Sequence, residues 1–203
     1  MIVAPNKSWC YLGPPKTGST TLVNLLQKPP FNGIYNGFQH DMVPPDDVPF
    51  VFASIRSPWT RILSLWKHRR VELLKPEEDR IAIHQLKQNR LPFDKFIAQV
   101  FSKCFDNFFY RTICDWLDEG PNDDCHFVRL EHLHHDLSIL LPQYNWDEVV
   151  VPRLNDTDRV VYDNNPLARQ SNRNLVWRWA QRDFLRFKCY HIPYDREVDE
   201  RNP

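Results

Sequence analysis

Glycine is scarce in this sequence, and neither sign of charge is in excess. Glycine accounts for only 5 of the 203 residues, fewer than the usual frequency of about 7% would give. Lys+Arg number 26 and Asp+Glu number 26, so the formal net charge is zero at pH 7. A strong field of one sign is what draws a protein to nucleic acid or to an anionic membrane, so we expect neither as a partner. Any anion site must be local.

The chain also has no long apolar run and no closely paired cysteines. No stretch approaches the roughly 18 apolar residues of a membrane span, and the N-terminal sequence does not resemble a secretory signal. We therefore expect no membrane segment and a cytoplasmic location. The cysteines are odd in number and form no CxxC pair, which argues against a zinc knuckle and against a complete disulfide framework. They are Cys10, Cys104, Cys114, Cys125 and Cys189.

The composition that remains is that of a globular protein. Hydrophobic residues make up 42% and aromatic residues 13% of the chain, which excludes disordered and collagen-like classes. At about 150 residues per domain, we expect a single domain over residues 1–203. Strands and helices alternate in the pattern, which is typical of an α/β fold with a mostly parallel sheet covered by helices.

The predicted elements follow from apolar periodicity and from capping residues. In order, they are a strand at Trp9–Leu12, a helix at Thr20–Leu26, an extended segment in FNGIYNGFQHDM, a buried strand in PFVFASI, a helix that begins after Ser57 and runs to about Leu74, helices at about 92–102 and 106–118, a strand at His126–Leu130, a short helix from about 133, and a long helix at about 166–188.

Four of the glycines fall within residues 13–37, which indicates unusual backbone near the N-terminus. The segment from Gly13 to Thr21, GPPKTGSTT, lies between a predicted strand and a predicted helix. Backbone amides and the helix dipole bind phosphate or sulfate at such a junction, and Lys16 adds a positive charge. The segment is not a Walker A loop, because that motif has its lysine directly after the last glycine. Here Lys16 precedes Gly18 by two residues.

A second strand-to-helix junction follows in PFVFASIRSPWTRILSLWKH. Its strand ends in Arg56, where a nucleoside triphosphatase would carry an acidic residue for magnesium. Ser64 lies two turns into the following helix. The pattern of Arg56 followed by Ser64 predicts a cationic site that binds a separate phosphate. Neither segment is specific alone, since short glycine turns and strand-end arginines are common.

Together, PKTGSTTL and IRSPWTRILSLW resemble the PAPS-dependent sulfotransferases, where PAPS is 3′-phosphoadenosine 5′-phosphosulfate. The first segment is similar to the family's 5′-phosphosulfate loop, with Ser19 where threonine is commoner. The second is similar to its 3′-phosphate motif, in which a serine follows the arginine by eight positions, as Ser64 follows Arg56. FVRLEHL, VPRLNDT and WAQRDFLRFKCY resemble later elements of the family. The likeness is greatest to its carbohydrate, Golgi-type branch, of which this chain would be a small member without a membrane segment.

The resemblance implies a P-loop-like α/β fold, PAPS as co-substrate, no metal, and an acceptor hydroxyl on a small molecule or a carbohydrate. Lys16 would stabilise the leaving group as a catalytic residue. The 5′-phosphate would be held by Lys16, Ser19, Thr20, Thr21 and the amides of Thr17 and Gly18, and the 3′-phosphate by Arg56 and Ser64.

The base that removes the acceptor proton is assigned to His40. This residue ends the extended segment after the first helix, and imidazole has an unperturbed pKa of about 6.5. Asp41 would orient His40 or replace it, and Glu131 is a third candidate. His132, His134 and His135 have no second ligand cluster with matching spacing, so we expect a solvated helix face there and no metal site.

Two other functions remain open from the sequence. The first is a nucleotide kinase or nucleoside triphosphatase of the same architecture, which is disfavoured by the missing GK[ST] signature and by Arg56. The second is a protein that binds PAP, the desulfated nucleotide, without catalysing transfer. Dependence on magnesium separates the first from a sulfotransferase, and turnover separates the second.

Overall fold

The computed structural model describes residues 1–36, 43–72, 92–102, 110–118, 125–152 and 165–190. The chain divides into two compact units, one of Met1–Ser57 with Ile113–Asp156 and one of Pro58–Thr112 with Thr157–Pro203. Each unit is built from two separate stretches of sequence. They are described one at a time below, and the single domain expected over residues 1–203 stays a prediction.

The first unit contains a five-stranded mixed sheet with the strand order β3-β1-β2-β4-β5. The strands β2, β4 and β5 run parallel, while β1 pairs antiparallel with both β2 and β3. The expected α/β class is therefore confirmed, and only part of the sheet is parallel. The strands are β1 at Ile2–Val3, β2 at Cys10–Leu12, β3 at Ile34–Tyr35, β4 at Val51–Ile55 and β5 at His126–Arg129.

The antiparallel side of the sheet was not predicted, and the length of one connection explains it. β1 is only two residues long, too short to show a period of alternating burial. The six residues that separate Val3 from Cys10 allow a hairpin turn, whereas a parallel crossover needs a dozen or more residues. The register pairs Ile2 with Tyr11 and Val3 with Cys10.

The described residues of this unit form three α-helices, which are α1 at Ser19–Leu26, α4 at Ile113–Leu117 and α5 at Leu133–Leu140. The helix predicted at about 106–118 is too long, because Arg111 and Thr112 are not helical and α4 begins at Ile113. The helices α1 and α5 share one buried cluster with the sheet. The helices, with the residue after α5, contribute Leu22, Leu25, Leu26, Leu133, Leu137 and Leu141 to this cluster. The strands and their neighbours contribute residues that include Trp9, Tyr11, Phe52 and Val128. The cluster fixes α1, and therefore the loop before it, against the sheet.

The second unit contains α2 at Pro58–Glu72, α3 at Phe93–Ser102, α6 at Gln170–Trp179 and α7 at Gln181–Arg186. Its core includes a completely buried arginine, Arg61. The Nη2 atom of Arg61 donates to the carbonyl of Arg111 at 2.8 Å, and the guanidinium lies 5.5 Å from the centre of the Trp179 ring. A buried charge needs such partners to offset its desolvation.

The single long helix predicted at about 166–188 is wrong. A short 3₁₀ helix at Pro166–Ala168 precedes α6, and Ala180, with φ −105° and ψ 23°, separates α6 from α7. In a continuous helix, residues seven positions apart are separated by about 10.5 Å along the axis. The break brings the rings of Trp177 and Phe184 to a stacked contact of 4.7 Å, which a straight helix does not permit.

At the end of β5, Arg129 forms an ion pair with Asp136 on α5. The Nε and Nη2 atoms of Arg129 donate to the two carboxylate oxygens at 2.8 and 2.6 Å, and its backbone amide donates at 2.9 Å. Burial raises the pKa of the Asp136 carboxyl, but hydrogen bonds from Arg129 and its charge outweigh burial, so the pKa lies below its ordinary value. The pair ties the start of α5 to the last strand.

Cys10, Cys114 and Cys125 are buried free thiols. None of the helices in the described ranges combines the length and apolar character that crossing a membrane requires.

Asp136→Asn is expected to lower the free energy of unfolding by about 2 kcal/mol at pH 7, the size of a hydrogen-bonded charged contact. Because the folded pKa lies below the unfolded value of about 3.9, this stabilisation is complete above that pH and is lost as the pH falls through the folded pKa. Urea unfolding at pH 7, 5 and 3 measures it.

The control is Asp147→Asn, since Asp147 is exposed and its replacement should change stability by less than about 0.5 kcal/mol. A deficit in Asp136→Asn that stays the same at pH 3 as at pH 7 would contradict the ionic character of the contact.

Candidate functional site

The candidate site lies where the three parallel strands end. β2 pairs with β4 and β4 with β5, all in the same direction, so their carboxyl ends meet at one edge of the sheet. The segments that follow are the loop Gly13–Gly18 after β2, Arg56 and Ser57 after β4, and Leu130–His132 after β5. Ligands of open α/β sheets bind outside the carboxyl ends of the strands, so this edge is the expected location.

Two residues of the loop after β2 have left-handed backbone. Lys16 has φ 64° and Gly18 has φ 88°. Gly18 is the N-cap of α1, offers no side-chain cap, and is followed by a first turn without acidic residues. An uncapped helix N-terminus preceded by left-handed backbone presents amide groups and a positive dipole to an anion.

Gly18 is required here for two reasons. Its positive φ is costly for residues with a Cβ, and a Cβ at this position would lie 2.3 Å from the Cδ1 atom of Leu130. Leu130 directly follows β5, and its side chain packs against the start of α1. This contact fixes where the helix N-terminus lies relative to the strand ends.

The side chain of Thr17 is turned into the protein and is completely buried. Its hydroxyl donates to the carbonyl of Pro14 at 2.7 Å and lies 2.6 Å from the hydroxyl of Ser54. Ser54 in turn lies 2.8 Å from the Tyr11 hydroxyl. Burial raises the pKa of Tyr11 far above its usual range, which the Ser54 hydrogen bond opposes only partly, so Tyr11 stays protonated. We call Tyr11, Ser54 and Thr17, together with the Pro14 carbonyl that ends the series, the hydroxyl chain.

Neither Ser54 nor Tyr11 is among the site residues predicted from the sequence. The available signal was a serine inside an otherwise apolar strand, two positions before Arg56. Three other hydroxyl residues were predicted to bind the 5′-phosphate. Of these, Ser19 and Thr21 are buried and Thr20 is exposed.

Arg56 lies beside the loop, as the two-motif interpretation requires. It is half-buried, and its Nη1 atom donates to the carbonyl oxygen of Lys16 at 3.4 Å. The structure therefore brings together the two cationic residues predicted from separate motifs. Ser64 is buried on α2 in the second unit, and its joint role with Arg56 stays a prediction.

Of the three candidate bases, His40 and Asp41 lie outside the described residues. Glu131 is exposed, and its Oε1 atom accepts a hydrogen bond from the backbone amide of Ser57 at 3.1 Å. Glu131 thus supports the turn between β4 and α2. This contact gives it a structural role at the site and leaves the assignment of the base untested.

The histidines near Glu131 were considered as metal ligands. His132, His134 and His135 are exposed, and the Nε2 atom of His134 lies 3.0 Å from the carbonyl of Trp146. Within the described ranges, no three His, Cys, Asp or Glu residues are grouped as metal ligands. The expected metal-free reaction stays a prediction.

Comparison of the chain with protein-family models, with curated proteins and with solved structures finds no match. The function must therefore be argued from the residues of the site.

Gly18→Ala is expected to destabilise the protein by about 1 to 2 kcal/mol through its left-handed backbone, with a further loss from the contact with Leu130. In a Leu130→Ala background the second loss disappears, so the same substitution should cost less there but still more than zero. Urea unfolding of the two single variants and the double variant measures this difference.

Gln27→Ala, at the exposed C-terminal end of α1, is the control and should change stability by less than about 0.5 kcal/mol. Equal costs of Gly18→Ala in both backgrounds would show that Leu130 does not set the position of the helix start.

Proposed function

We propose that this protein is a sulfotransferase that moves a sulfuryl group from PAPS to an acceptor hydroxyl. The observation that carries the proposal is the hydrogen bond from Arg56 to the carbonyl of Lys16. It joins a phosphate-type loop and a strand-end arginine, which the sequence resemblance assigns to the two phosphate groups of one nucleotide.

The residues fit an anionic nucleotide in several respects. The first turn of α1 has no acidic residue and its N-cap has no side chain, so no side chain of this first turn competes with an anion for the amide groups. Lys16 and Arg56 supply positive charge at the same sheet edge. Phosphate groups bind at helix N-termini and to guanidinium groups by charge-assisted hydrogen bonds.

In the proposed complex, the loop holds the 5′-phosphosulfate end of PAPS. Its ligands would be Lys16, Ser19, Thr20, Thr21 and the amide of Gly18. The amide of Thr17, predicted with them, donates to the carbonyl of Pro14 at 3.4 Å. Arg56 would bind the 3′-phosphate, with Ser64 as its proposed partner. A guanidinium presents a fixed fork of donors, which suits an anchor that does not change during the reaction.

PAPS supplies the sulfuryl group: the bond from sulfur to the 5′-phosphate oxygen breaks, a bond from sulfur to the acceptor oxygen forms, and the acceptor proton passes to a base. Lys16 would stabilise the negative charge that builds up on the departing phosphate oxygen, as preorganised cations do in other group transfers. His40 is the proposed base, with Asp41 and Glu131 as the alternatives.

The acceptor is proposed to be a hydroxyl of a small molecule or a carbohydrate, because the motifs resemble the carbohydrate branch of the family. No described element identifies the acceptor pocket. A panel of sugar, phenol and steroid hydroxyls, scored by release of PAP, therefore belongs to the first assay.

The proposal is tested first by thermal unfolding with PAP in EDTA and, separately, with ATP and magnesium. PAP at a hundred times its dissociation constant should add about 2.7 kcal/mol, and each kcal/mol should raise the melting temperature by about 2 to 4 °C for a protein of this size. Lys16→Met should reduce the PAP shift and lower sulfuryl transfer by about a hundredfold or more.

Lys28→Met is the matched control, since Lys28 is an exposed lysine just beyond the other end of α1 and its loss should alter neither readout. If ATP with magnesium raises the melting temperature and PAP does not, the sulfotransferase proposal is overturned in favour of a kinase or nucleoside triphosphatase. A PAP shift without transfer to any acceptor in the panel would favour the non-catalytic binding protein.

Arg56→Ala tests the assignment of the 3′-phosphate. Loss of a charge-assisted contact should weaken PAP binding by about 10- to 100-fold. AMP, which has no 3′-phosphate, should lose less affinity, since for AMP only the bond from Arg56 to the Lys16 carbonyl is lost. Calorimetric titration with both nucleotides measures the change in their ratio.

Lys16→Met is the comparison, because Lys16 is assigned to the 5′ end that PAP and AMP share and its loss should weaken both. If Arg56→Ala weakens PAP and AMP equally, then Arg56 does not hold the 3′-phosphate.

A further inference from the structure

The direction of every hydrogen bond in the hydroxyl chain is determined by its last member. The carbonyl oxygen of Pro14 can only accept, so the single hydroxyl proton of Thr17 is directed to it. The contact between Thr17 and Ser54 must then use the proton of Ser54. The contact between Ser54 and Tyr11 must use the proton of Tyr11.

Each hydroxyl therefore donates toward the loop, starting from a tyrosine on β2. Tyr11, Ser54 and Thr17 are all completely buried, so water does not replace any of these bonds. Hydrogen bonds that run in one direction in a low-dielectric interior polarise one another. Their combined effect is to draw the carbonyl of Pro14 toward the core.

The carbonyl groups of the loop decide whether an anion is attracted or repelled. A peptide carbonyl oxygen carries partial negative charge, and one directed at a bound phosphate opposes the neighbouring amide groups. The carbonyl of Pro14 is held by Thr17 and that of Lys16 by Arg56. Two potentially repulsive dipoles are thus engaged by donors of the protein.

We propose that Tyr11 and Ser54 are positioning residues for the anion loop, which they hold in its anion-binding conformation through Thr17 and Pro14. This inference deepens the proposed function and rests on the anion site assigned there. Neither residue touches the nucleotide in this arrangement, so neither is a catalytic residue. Their loss should lower affinity for the anion more than it lowers the stability of the ligand-free protein.

The main test is the double variant Tyr11→Phe with Ser54→Ala. Removing both hydroxyls leaves no tyrosine hydroxyl without an acceptor, and such paired replacements change stability little. Two hydrogen bonds are lost, of which the one between Ser54 and Thr17 reaches the loop. Affinity for PAP and for inorganic pyrophosphate should fall about tenfold, the effect of that one bond. Calorimetric titration gives the affinities, and urea unfolding without ligand gives the stability.

Tyr144→Phe is the matched control. The Tyr144 hydroxyl accepts a hydrogen bond from Nε1 of Trp9 at 3.2 Å in the same unit, and it is not part of the hydroxyl chain. This variant should bind both anions like the wild type. As a further check, Thr17→Ser keeps the hydroxyl and should retain more affinity than Thr17→Val.

Unchanged affinity in the double variant would overturn the inference while leaving the proposed function intact. An equal loss of affinity in Tyr144→Phe would also overturn it, because the loss would then reflect general loosening of the core. Wild-type protein that binds neither PAP nor pyrophosphate would overturn both proposals. Should the double variant not fold, Tyr11→Phe alone, which removes only the first donor, is judged by the same criteria.

Discussion

A loop with left-handed backbone at Lys16 and Gly18 keeps its shape only if contacts from the rest of the protein hold it there. The hydroxyl chain supplies such a contact from beneath, because it joins the loop to two parallel strands through Tyr11 and Ser54. A buried hydroxyl that loses its partner costs about 1 to 3 kcal/mol, so these bonds oppose movement of the loop away from the strands. The conformation of the loop therefore depends on β2 and β4 as well as on its own sequence.

The same sheet edge is held together at two further points. Leu130, after β5, occupies the space that a side chain at Gly18 would fill. Glu131, its neighbour, accepts the amide hydrogen of Ser57 after β4. The ion pair between Arg129 and Asp136 fixes the end of the strand that precedes both residues. A group bound at the loop would thus rest on three strands, and displacing any one of them would alter the position of the helix N-terminus.

Much of this arrangement was visible in the sequence because it is local. The strand, loop and helix around Gly13–Thr21 depend on neighbouring residues, and the predicted bounds agree with β2 and α1 to within one residue at each end. The roles of Ser54 and Leu130 depend on contacts between residues far apart in the chain, so no periodicity marks them. The break at Ala180 is a similar case, since the contact between Trp177 and Phe184 that accompanies it is not marked by the helical pattern, which continues through both residues.

The two cations of the site differ in a way that matches the different tasks proposed for them. Arg56 is half-buried and bonded to the backbone of the loop, so its guanidinium is held in place before a nucleotide arrives. That suits a 3′-phosphate, whose charge is the same before and after transfer. Lys16 carries a compact ammonium on a flexible stem, and the charge near the sulfur moves as the sulfuryl group departs. A rigid fork for the unchanging group and a flexible cation for the changing one are consistent with the transfer proposed here.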